Sequence, residues 1–412
     1  MMRRAAVIGS GPAGLMAAER LVGDGVAVTV YDRMASPARK FLLAGRGGLN
    51  LTHSEPLEDL LRRYCPADGP LRAAIEAFPP DRVRAWCEAL GQPTFIGTSG
   101  RVFPKAMKAS PLLRAWLRRL QREGVTFAMR HRWCGWQDGG LVFAGPDGTT
   151  VTDTPDAAVL ALGGASWPRL GSDGGWVAAL ESAGVTVAPL QPANCGFLAP
   201  WTEPFRNRCA GAPLKRIAVT FAGRTVRGEA MITARGLEGG AIYALSTPLR
   251  EAIALRGEAV VSIDLRPDVA AADLVAHIAR GRKKESLSTS LRKTAKLSAA
   301  AIDLMREAAV RAGIRRGDLP PPEIAALIKA VPVHLNGIAG ISRAISTAGG
   351  VSFSEINEKF MLGRLPGVFA AGEMLDWEAP TGGYLLQASF ATGIAAAEGA
   401  IAWMARNDSA SR

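Results

Sequence analysis

The first chemistry that the sequence offers is a phosphate-binding turn near its start. The stretch Gly-Ser-Gly-Pro-Ala-Gly at residues 9–14 has the GxGxxG spacing of dinucleotide-binding turns. In such a turn the first glycine permits a tight bend, the second lets the backbone approach a pyrophosphate, and the third lets a helix pack close to a strand. The N–H groups at the start of that helix attract phosphate charge. The candidate phosphate ligands are therefore Gly9, Gly11, Pro12, Ala13 and Gly14.

An acidic residue at a defined distance indicates which nucleotide would bind. Asp32 lies 18 residues after Gly14, where a carboxylate accepts hydrogen bonds from a ribose diol. Because an acid there repels a 2′-phosphate, the site suits FAD or NAD and not NADP. The neighbouring Arg33 is a further candidate ligand.

Three consecutive elements must position this turn. Residues 5–8 are a short apolar run that predicts a buried parallel strand, and residues 15–22 have apolar positions at helical spacing. Residues 26–31 predict a second strand that ends at Asp32. A complete strand–helix–strand unit around the turn makes the dinucleotide-binding interpretation specific, whereas GxGxxG alone is weak.

A second glycine-rich segment, residues 34–53, supplies further groups for a ligand. Three glycines close together free the backbone, and polar side chains beside them provide donors. Such a loop can wrap phosphates or the edge of an isoalloxazine ring. The candidate ligands in this segment are Lys40, Gly45, Arg46, Gly47, Asn50 and Thr52.

The end of the chain carries a third segment that distinguishes FAD from NAD. Residues 367–373 predict a short buried strand, and residues 376–388 run into a helix rich in alanine and glycine; residues 347–351 are expected to form a turn. In flavoproteins the chain returns at its end to complete the FAD site, and the helix start stabilises the reduced flavin. The strand predicted over residues 156–166 passes the same cofactor. The candidate ligands are Gly163, Gly164, Gly372, Glu373, Gly382, Gly383, Tyr384, Leu386, Gln387 and Ala388.

These motifs together resemble the HI0933-like (YhiN/BaiN-type) FAD-dependent oxidoreductases, and most closely a flavoprotein subgroup of that family. The resemblance spans nearly the whole chain and rests on residues 8–14, 39–52, 161–175, 232–246 and 348–393. Two segments depart from the family pattern. The family's Gly-Gly-Gly-Arg-Cys-Asn is Gly-Arg-Gly-Gly-Leu-Asn at residues 45–50, and residues 382–387 lack the family's asparagine.

The resemblance implies an α/β fold. A Rossmann-like, glutathione-reductase-type FAD domain is built from both chain ends, with an inserted β-barrel-like domain and a helical subdomain. We expect residues 1–188 and 341–412 to form the FAD-binding domain, and residues 189–265 and 330–340 a β-rich substrate domain. Residues 266–329 are expected to form a basic helical insertion.

Composition restricts the class of protein and its surroundings. With 412 residues, 48% of them hydrophobic and 21% charged, the chain is neither disordered nor fibrous. No run of about 18 uncharged apolar residues occurs, so we expect no membrane-spanning helix. The five cysteines are scattered without CxxC, which fits a reducing cytoplasm and predicts no metal site and no dithiol chemistry.

The distribution of basic residues allows more than one kind of binding partner. The formal net charge is +12, and residues 101–132 and 280–316 each carry a net +8. Such stretches are either solvated faces or attract an anion such as a nucleotide, a nucleic acid or an acidic substrate. The second stretch has no interleaved aromatic residues, which disfavours base stacking. The sequence does not define an oligomeric state.

The predicted function is FAD-dependent oxidation or reduction of an unidentified small organic substrate. Because the flavin performs hydride transfer itself, no acid–base pair is required, and catalytic residues stay unassigned. Tyr384, Trp377 and Arg46 are candidates for lining the pocket. Only one complete dinucleotide turn occurs, so NAD(P)H would bind transiently as the reductant. The alternatives are an amine-type oxidase that uses oxygen, or an RNA-associated flavoprotein that uses its basic helices.

Overall fold

The computed structural model describes residues 2–45, 47–281, 285–314 and 319–410. The chain forms two compact units. Unit 1 contains Met1–Pro192 and Ser346–Arg412, and unit 2 contains Ala193–Ile345. Which unit binds cofactor and which binds substrate stays a prediction.

Strands and helices are interspersed along the chain. The strands are β1 (Arg4–Ile8), β2 (Ala27–Asp32), β3 (Thr52–His53), β4 (Thr94–Ile96), β5 (Arg101–Pro104), β6 (Thr126–Met129), β7 (Arg132–Gln137), β8 (Gly140–Ala144), β9 (Thr150–Asp153), β10 (Ala157–Leu160), β11 (Val187–Ala193), β12 (Phe197–Leu198), β13 (Pro213–Phe221), β14 (Arg224–Thr233), β15 (Gly236–Glu238), β16 (Ala259–Asp264), β17 (Val331–Leu335), β18 (Gly337–Ile338), β19 (Ser346–Val351) and β20 (Val368–Ala370). The helices are α1 (Pro12–Val22), α2 (Arg39–Ala44), α3 (Leu57–Leu61), α4 (Pro70–Ala77), α5 (Pro80–Ala89), α6 (Ala109–Arg122), α7 (Val177–Ser182), α8 (Glu203–Cys209), α9 (Gly240–Tyr243), α10 (Ser246–Arg256), α11 (Ala271–Ala279), α12 (Leu287–Thr294), α13 (Ala299–Arg311), α14 (Pro321–Lys329) and α15 (Tyr384–Ala410). Short 3₁₀ turns lie at Pro168–Leu170, Ile341–Arg343, Phe353–Glu355 and Gly372–Met374.

A parallel sheet in the order β20–β10–β1–β2–β6 forms the centre of unit 1. All four pairings are parallel, and in the central strand Val7 lies opposite Val159 on one side and Val30 on the other. The side chains of residues 5–8 are buried on both faces, as a strand of small and β-branched residues requires in a parallel sheet. The predicted α/β class with a Rossmann-like sheet is confirmed.

Helix α1 is held against the sheet and against α15 by close backbone contacts. A Cβ atom added at Gly14 would lie 1.9 Å from the carbonyl oxygen of Gly9, and one added at Gly393 would lie 2.3 Å from the carbonyl oxygen of Ala13. On the other side of α1, Glu19 accepts hydrogen bonds from the indoles of Trp86 (3.1 Å) and Trp116 (2.5 Å). These contacts fix the position of the glycine-rich turn.

Helix α15 is apolar along most of its length. Within the described residues, Tyr384–Asn407 is long and apolar enough to cross a membrane by length and composition, which the sequence analysis did not expect. Its packing is that of a core helix, since 56% of its most apolar window is buried. Ala388, Phe390 and Ala396 are among its buried side chains.

The segment at residues 347–351, predicted to be a turn, is instead part of strand β19, and that prediction is wrong. The strand pairs with β11. Gly349 and Gly350 adopt φ angles of +82° and +134°, and a Cβ atom at Gly349 would lie 2.2 Å from the carbonyl oxygen of Pro189. The glycines therefore permit close backbone approach inside a strand, a pattern that sequence alone does not separate from a turn.

Unit 2 contains a seven-stranded antiparallel sheet in the order β17–β16–β13–β14–β15–β12–β18. The two strands at its ends are joined by one residue, Asn336, so the sheet must curve until its edges approach each other, as in a barrel. Leu274 of α11 and Leu304 of α13 share a hydrophobic core with Val219 and Val261 of the sheet. The helical segment and the sheet of unit 2 are therefore one packed body.

Replacing Gly14 with alanine should destabilise the protein by about 2–3 kcal/mol, because the added methyl meets backbone that cannot rotate away. The measurement is denaturant unfolding of cofactor-free protein. Gly240→Ala is the control: that residue also lies in the first turn of a helix, and its Cβ position is open. Equal stability of Gly14→Ala and the parent protein would contradict a fixed contact between α1 and the turn.

Candidate cofactor site

A cleft opens in unit 1 at the carboxyl ends of the parallel strands. Gly9 follows β1, Asp32 ends β2, Gly163 follows β10 and Gly372 follows β20, and all four line the cleft. Ligands of open parallel sheets bind at this edge, where loops from neighbouring strands diverge. The strand contributed by the end of the chain thus supplies one wall.

The three glycines of the turn have different physical roles. Gly9 has a φ of +105°, and its Cβ would lie 2.2 Å from the carbonyl oxygen of Ala161. Gly14 is restricted by the carbonyl of Gly9. A Cβ at Gly11 meets no atom within 4 Å, although the residue lines the cleft. Packing therefore explains Gly9 and Gly14, whereas only a ligand close to the backbone would require glycine at position 11.

The carboxylate of Asp32 is held rigidly by backbone and side-chain donors. One oxygen accepts hydrogen bonds from the N–H (2.8 Å) and the hydroxyl (2.5 Å) of Ser10, and the other accepts from the N–H of Met34 (2.8 Å). A carboxylate has about four lone-pair sites, so it can still accept from a ribose hydroxyl. Its neighbour Arg33 forms an ion pair with Asp173 at the wall of the cleft.

A partly buried polar network joins the first segment of the chain to the last. The ammonium group of Lys40 in α2 donates to Glu373 (2.7 Å) and to the hydroxyl of Ser166 (2.6 Å). The other oxygen of Glu373 accepts from the N–H of Thr347 (3.0 Å). Lys40 and Glu373 both line the cleft, so this pair places a positive and a negative group beside any bound ligand.

Orphaned polar atoms provide a test of whether the residues present fit a cofactor. Within the described part of the chain, the buried side-chain atoms without a hydrogen-bond partner are Asn50 Oδ1, Trp133 Nε1 and Ser172 Oγ. Trp133 and Ser172 line the cleft and are 8% and 6% exposed. An unpaired buried polar group costs about 1–3 kcal/mol, so these atoms point to a ligand with its own donors and acceptors. The residues fit FAD.

Trp133 and Ser172 are site residues that the sequence analysis missed. Trp133 lies on β7, distant in sequence from the turn, and its aromatic side chain resembled ordinary strand packing. Ser172 lies in a glycine-rich stretch, residues 171–175, that follows the predicted ligands Gly163 and Gly164. A polar residue inside that loop was the available signal.

The predicted ligands fall into three groups. Those that line the cleft are Gly9, Gly11, Pro12, Ala13, Asp32, Arg33, Lys40, Gly163, Gly372 and Glu373. Those that lie outside its lining are Gly14, Gly45, Gly47, Asn50, Thr52, Gly164, Trp377, Gly382, Gly383, Tyr384, Leu386, Gln387 and Ala388. Arg46 lies outside the described residues. The role of each residue in binding FAD stays a prediction.

Several residues of the second group join the loop of β3 to the start of α15. A Cβ at Gly383 would lie 2.6 Å from the backbone of Thr52, whose hydroxyl donates to the side-chain oxygen of Gln387 (2.6 Å). The amide nitrogen of Gln387 donates to the carbonyl of Phe78 (2.6 Å). Trp377 is buried, and its indole donates to the carbonyl of Gly372 (2.9 Å). Thr52, Gln387 and Trp377 thus position neighbouring backbone.

Tyr384 belongs to a buried polar cluster. Its hydroxyl donates to Glu55 (2.5 Å), which also receives a hydrogen bond from Arg63 (2.8 Å), and its ring stacks on His53. Burial, followed by the hydrogen bond to Glu55, raises the pKa of Tyr384 above its ordinary value of 10.0. Burial alone would raise the pKa of Glu55, but hydrogen bonds from Arg63 and Tyr384 outweigh it and lower that pKa below 4.5. Tyr384 therefore keeps its proton while Glu55 stays ionised.

The parallel sheet, the glycine-rich turn and the cleft are those of an FAD-dependent oxidoreductase. The chain belongs to the HI0933-like family: residues 3–399 match the family described as HI0933-like protein Rossmann domain.

Similar proteins cover the whole length of the chain. A 3-dehydro-bile acid delta(4,6)-reductase of Clostridium scindens is 27% identical, over 97% of this chain and 99% of its own length. A ribosomal RNA dihydrouridine synthase of Haemophilus influenzae is 24% identical, over 95% and 96% of the two lengths. The solved 3-ketosteroid delta1-dehydrogenase of Sterolibacterium denitrificans superposes with a TM-score of 0.51 at 12% identity, covering 98% and 99%. This last likeness concerns the fold alone.

Replacing Gly11 with alanine should weaken FAD binding by about 10-fold or more, a loss of at least ~1.4 kcal/mol, because the methyl group enters the space beside the backbone. Stability of the cofactor-free protein should change by less than about 1 kcal/mol, since Gly11 has an ordinary backbone conformation at the helix N-cap. Quenching of flavin fluorescence measures the affinity. Unchanged affinity would show that no ligand approaches this point.

Removing the Glu55 carboxylate with Glu55→Gln should reduce stability at pH 7 by about 1–2 kcal/mol. Because folding lowers the pKa of Glu55 below 4.5, its contribution is present above that pH and is lost as pH falls through the folded-state pKa. The difference in unfolding midpoint from the parent protein should therefore shrink on acidification. Glu88→Gln, at an exposed position, is the control. A difference that does not vary with pH would contradict the ionised cluster.

Proposed function

We propose that the protein uses FAD to reduce a carbon–carbon double bond conjugated with a carbonyl group, with NAD(P)H as the reductant. The observation that carries the proposal is the cofactor cleft of unit 1 in a chain whose full-length relatives are named for such reductions. When bound, FAD supplies the hydride transfer.

The names of the relatives share one chemical change. A 3-dehydro bile acid with double bonds at positions 4 and 6 has those bonds conjugated with the 3-keto group. Forming dihydrouridine saturates the double bond of uracil that is conjugated with its 4-carbonyl. In both cases the carbon distal to the carbonyl is electrophilic and accepts hydride. This shared electrophile supports a conjugated double bond as the substrate feature here.

The chain's own residues bind and orient the cofactor for this reaction. The open backbone at Gly11 and the start of α1 would hold the pyrophosphate, and the fixed carboxylate of Asp32 would hold the ribose. Trp133 and Ser172 would pair with polar groups of the ligand at the wall of the cleft. Tyr384 retains its proton in a buried position at the start of α15. Its backbone carbonyl accepts a hydrogen bond from the hydroxyl of Tyr64 (2.9 Å), and this bond orders that end of the helix.

The reductant and the compartment follow from sequence features. The one dinucleotide turn of the chain is assigned to FAD, so NAD(P)H would bind transiently and leave before the substrate reacts. The five cysteines, all among the described residues, form no disulfide, which supports a reducing compartment. The cytoplasm is the compartment that we propose on this basis.

Anaerobic stopped-flow mixing tests the reaction. Bound flavin should be bleached by NADH or NADPH, and the reduced protein should then be reoxidised at least ~10-fold faster by a conjugated enone than by its saturated ketone. A non-conjugated alkene is the matched control for the double bond. Reduction by amines together with rapid reoxidation by oxygen would instead establish the oxidase alternative.

A further inference from the structure

The hairpin formed by β4 and β5 in unit 1 presents large apolar side chains to solvent. Phe95 and Ile96 on β4 are 37% and 47% exposed, and Met107, in the turn that follows β5, is 38% exposed. The sheet has the order β3–β5–β4, so one side of β4 pairs with no strand among the described residues. Exposed apolar side chains that gather in one place mark an interaction surface.

Three of the apolar side chains adjoin one another. Phe95 lies opposite Phe103 in the antiparallel pairing, and their rings stack with centroids 5.7 Å apart. A Cβ atom added at Gly48 would lie 2.7 Å from the Cε of Met107 and 3.4 Å from the Cε1 of Phe103, so both side chains lie against the same glycine. Phe95, Phe103 and Met107 therefore form one continuous apolar surface, and Ile96 lies next to it at the end of β4.

The backbone holds Met107 in this position. Its N–H donates to the carbonyl of Pro104 (2.8 Å), which closes a turn, and its own carbonyl accepts from the N–H of Leu49 (2.9 Å). Met107 adopts a φ of +58°, a conformation that its side chain makes unfavourable. The exposed methionine is therefore a fixed part of the surface.

Cations are interspersed with the apolar side chains. Arg101 begins β5, and Lys105 and Lys108 lie on either side of Met107 in the chain. All three cations are exposed, and in the part of the chain that the structure describes none of them forms an ion pair. Residues 93–122 contain seven basic residues and no acidic one. We name as the hairpin patch the surface formed by Phe95, Ile96, Phe103, Met107, Arg101, Lys105 and Lys108.

We propose that the hairpin patch binds the surface of a bilayer that contains anionic lipid. Its apolar side chains enter the headgroup region, and its three cations contact lipid phosphates. A bilayer surface offers apolar and anionic groups in the same place, and the patch offers the matching apolar and cationic groups. The binding is peripheral, because α15, the described helix long and apolar enough to span a membrane, belongs to the core of unit 1.

Two other occupants match the patch in only one respect. A nucleic acid would neutralise the cations, but it would leave Ile96 and Met107, which have no ring to stack on bases, exposed to water. A second copy of the chain would bring the same surface against itself in a symmetric dimer, so cations would face cations. An anionic bilayer satisfies both kinds of side chain, and the cytoplasmic leaflet carries such lipids.

Cosedimentation with sucrose-loaded vesicles tests the assignment on the FAD-loaded, full-length protein. The vesicles contain phosphatidylcholine alone or phosphatidylcholine with phosphatidylglycerol. Two variants each remove one property of the patch. The apolar variant replaces its exposed apolar residues by Phe95→Ser, Ile96→Ser and Met107→Gln. The cation variant replaces its basic residues by Arg101→Gln, Lys105→Gln and Lys108→Gln.

Matched controls remove the same kinds of group from exposed positions of unit 2. The apolar control carries Leu255→Ser, Leu287→Ser and Val310→Ser. The cation control carries Lys215→Gln, Arg216→Gln and Arg224→Gln. Flavin content and the unfolding midpoint report whether each variant folds. If a triple variant does not fold, Ile96→Ser or Lys105→Gln replaces it, because each of these alters one exposed side chain.

We expect the parent protein to bind vesicles with phosphatidylglycerol about 10-fold or more tightly than vesicles of phosphatidylcholine alone. Each triple patch variant should lose about 10-fold or more of that affinity, each single variant about threefold, and each control less than about twofold. Added salt should weaken binding of the parent protein more than binding of the cation variant, because salt screens the attraction of the cations to lipid phosphates.

Equal affinity for the two kinds of vesicle, or equal losses in the patch variants and their controls, would overturn the proposal. An apolar variant that binds vesicles as the parent does, with heparin competing for both, would identify a charged polymer as the occupant and would also overturn it. The proposal does not rest on the proposed function. Vesicle binding is measured without reductant or substrate, so a protein that reduces no double bond can still confirm the patch.

Discussion

Helix α1 lies so close to the turn that follows strand β1 and to helix α15 that its contact points admit nothing larger than hydrogen. The carbonyl of Gly9 occupies the Cβ position of Gly14, and the carbonyl of Ala13 occupies that of Gly393. These contacts lie between backbone atoms, so no change of rotamer relieves them. They bring the first turn of the chain and its last helix together, and the cleft between the diverging strand ends follows from that arrangement.

Polar contacts at the cleft also hold the two ends of the chain together. Lys40 and Glu373, more than three hundred residues apart, form an ion pair beside the ligand space, and Ser166 and Thr347 complete their hydrogen bonds. A buried charge is tolerated when it is paired in this way, so the network stabilises the closed arrangement of the chain ends without consuming the groups a ligand needs. The unpartnered atoms of Trp133 and Ser172, which line the cleft, are in contrast the ones that a nucleotide can satisfy.

How much of the fold and of the candidate site the sequence predicts depends on how far apart in the chain the interacting residues lie. The β1–α1–β2 unit and Asp32 are local patterns with their own periodicity, and they were predicted. The return of the chain's end was predicted from residues 367–373 and 376–388, whose pattern is typical of the segment that completes an FAD site. Trp133 and Ser172 reach the cleft through tertiary packing that no local pattern encodes, and Thr52 and Gln387, predicted as ligands, bond to each other. The sequence predicts a turn where strand β19 forms, because glycines occur both in turns and in strands whose backbone approaches another segment closely.

The two units differ in how freely their residues can change. Unit 1 is fixed by backbone contacts at glycine, so its cofactor chemistry tolerates little substitution. In unit 2, Lys215 and Arg216 on a strand bulge and Lys296 on a loop are exposed, and replacing them disturbs no packed core. Substitutions on the exposed bulge and loop of unit 2 can therefore accumulate without altering the backbone contacts of unit 1.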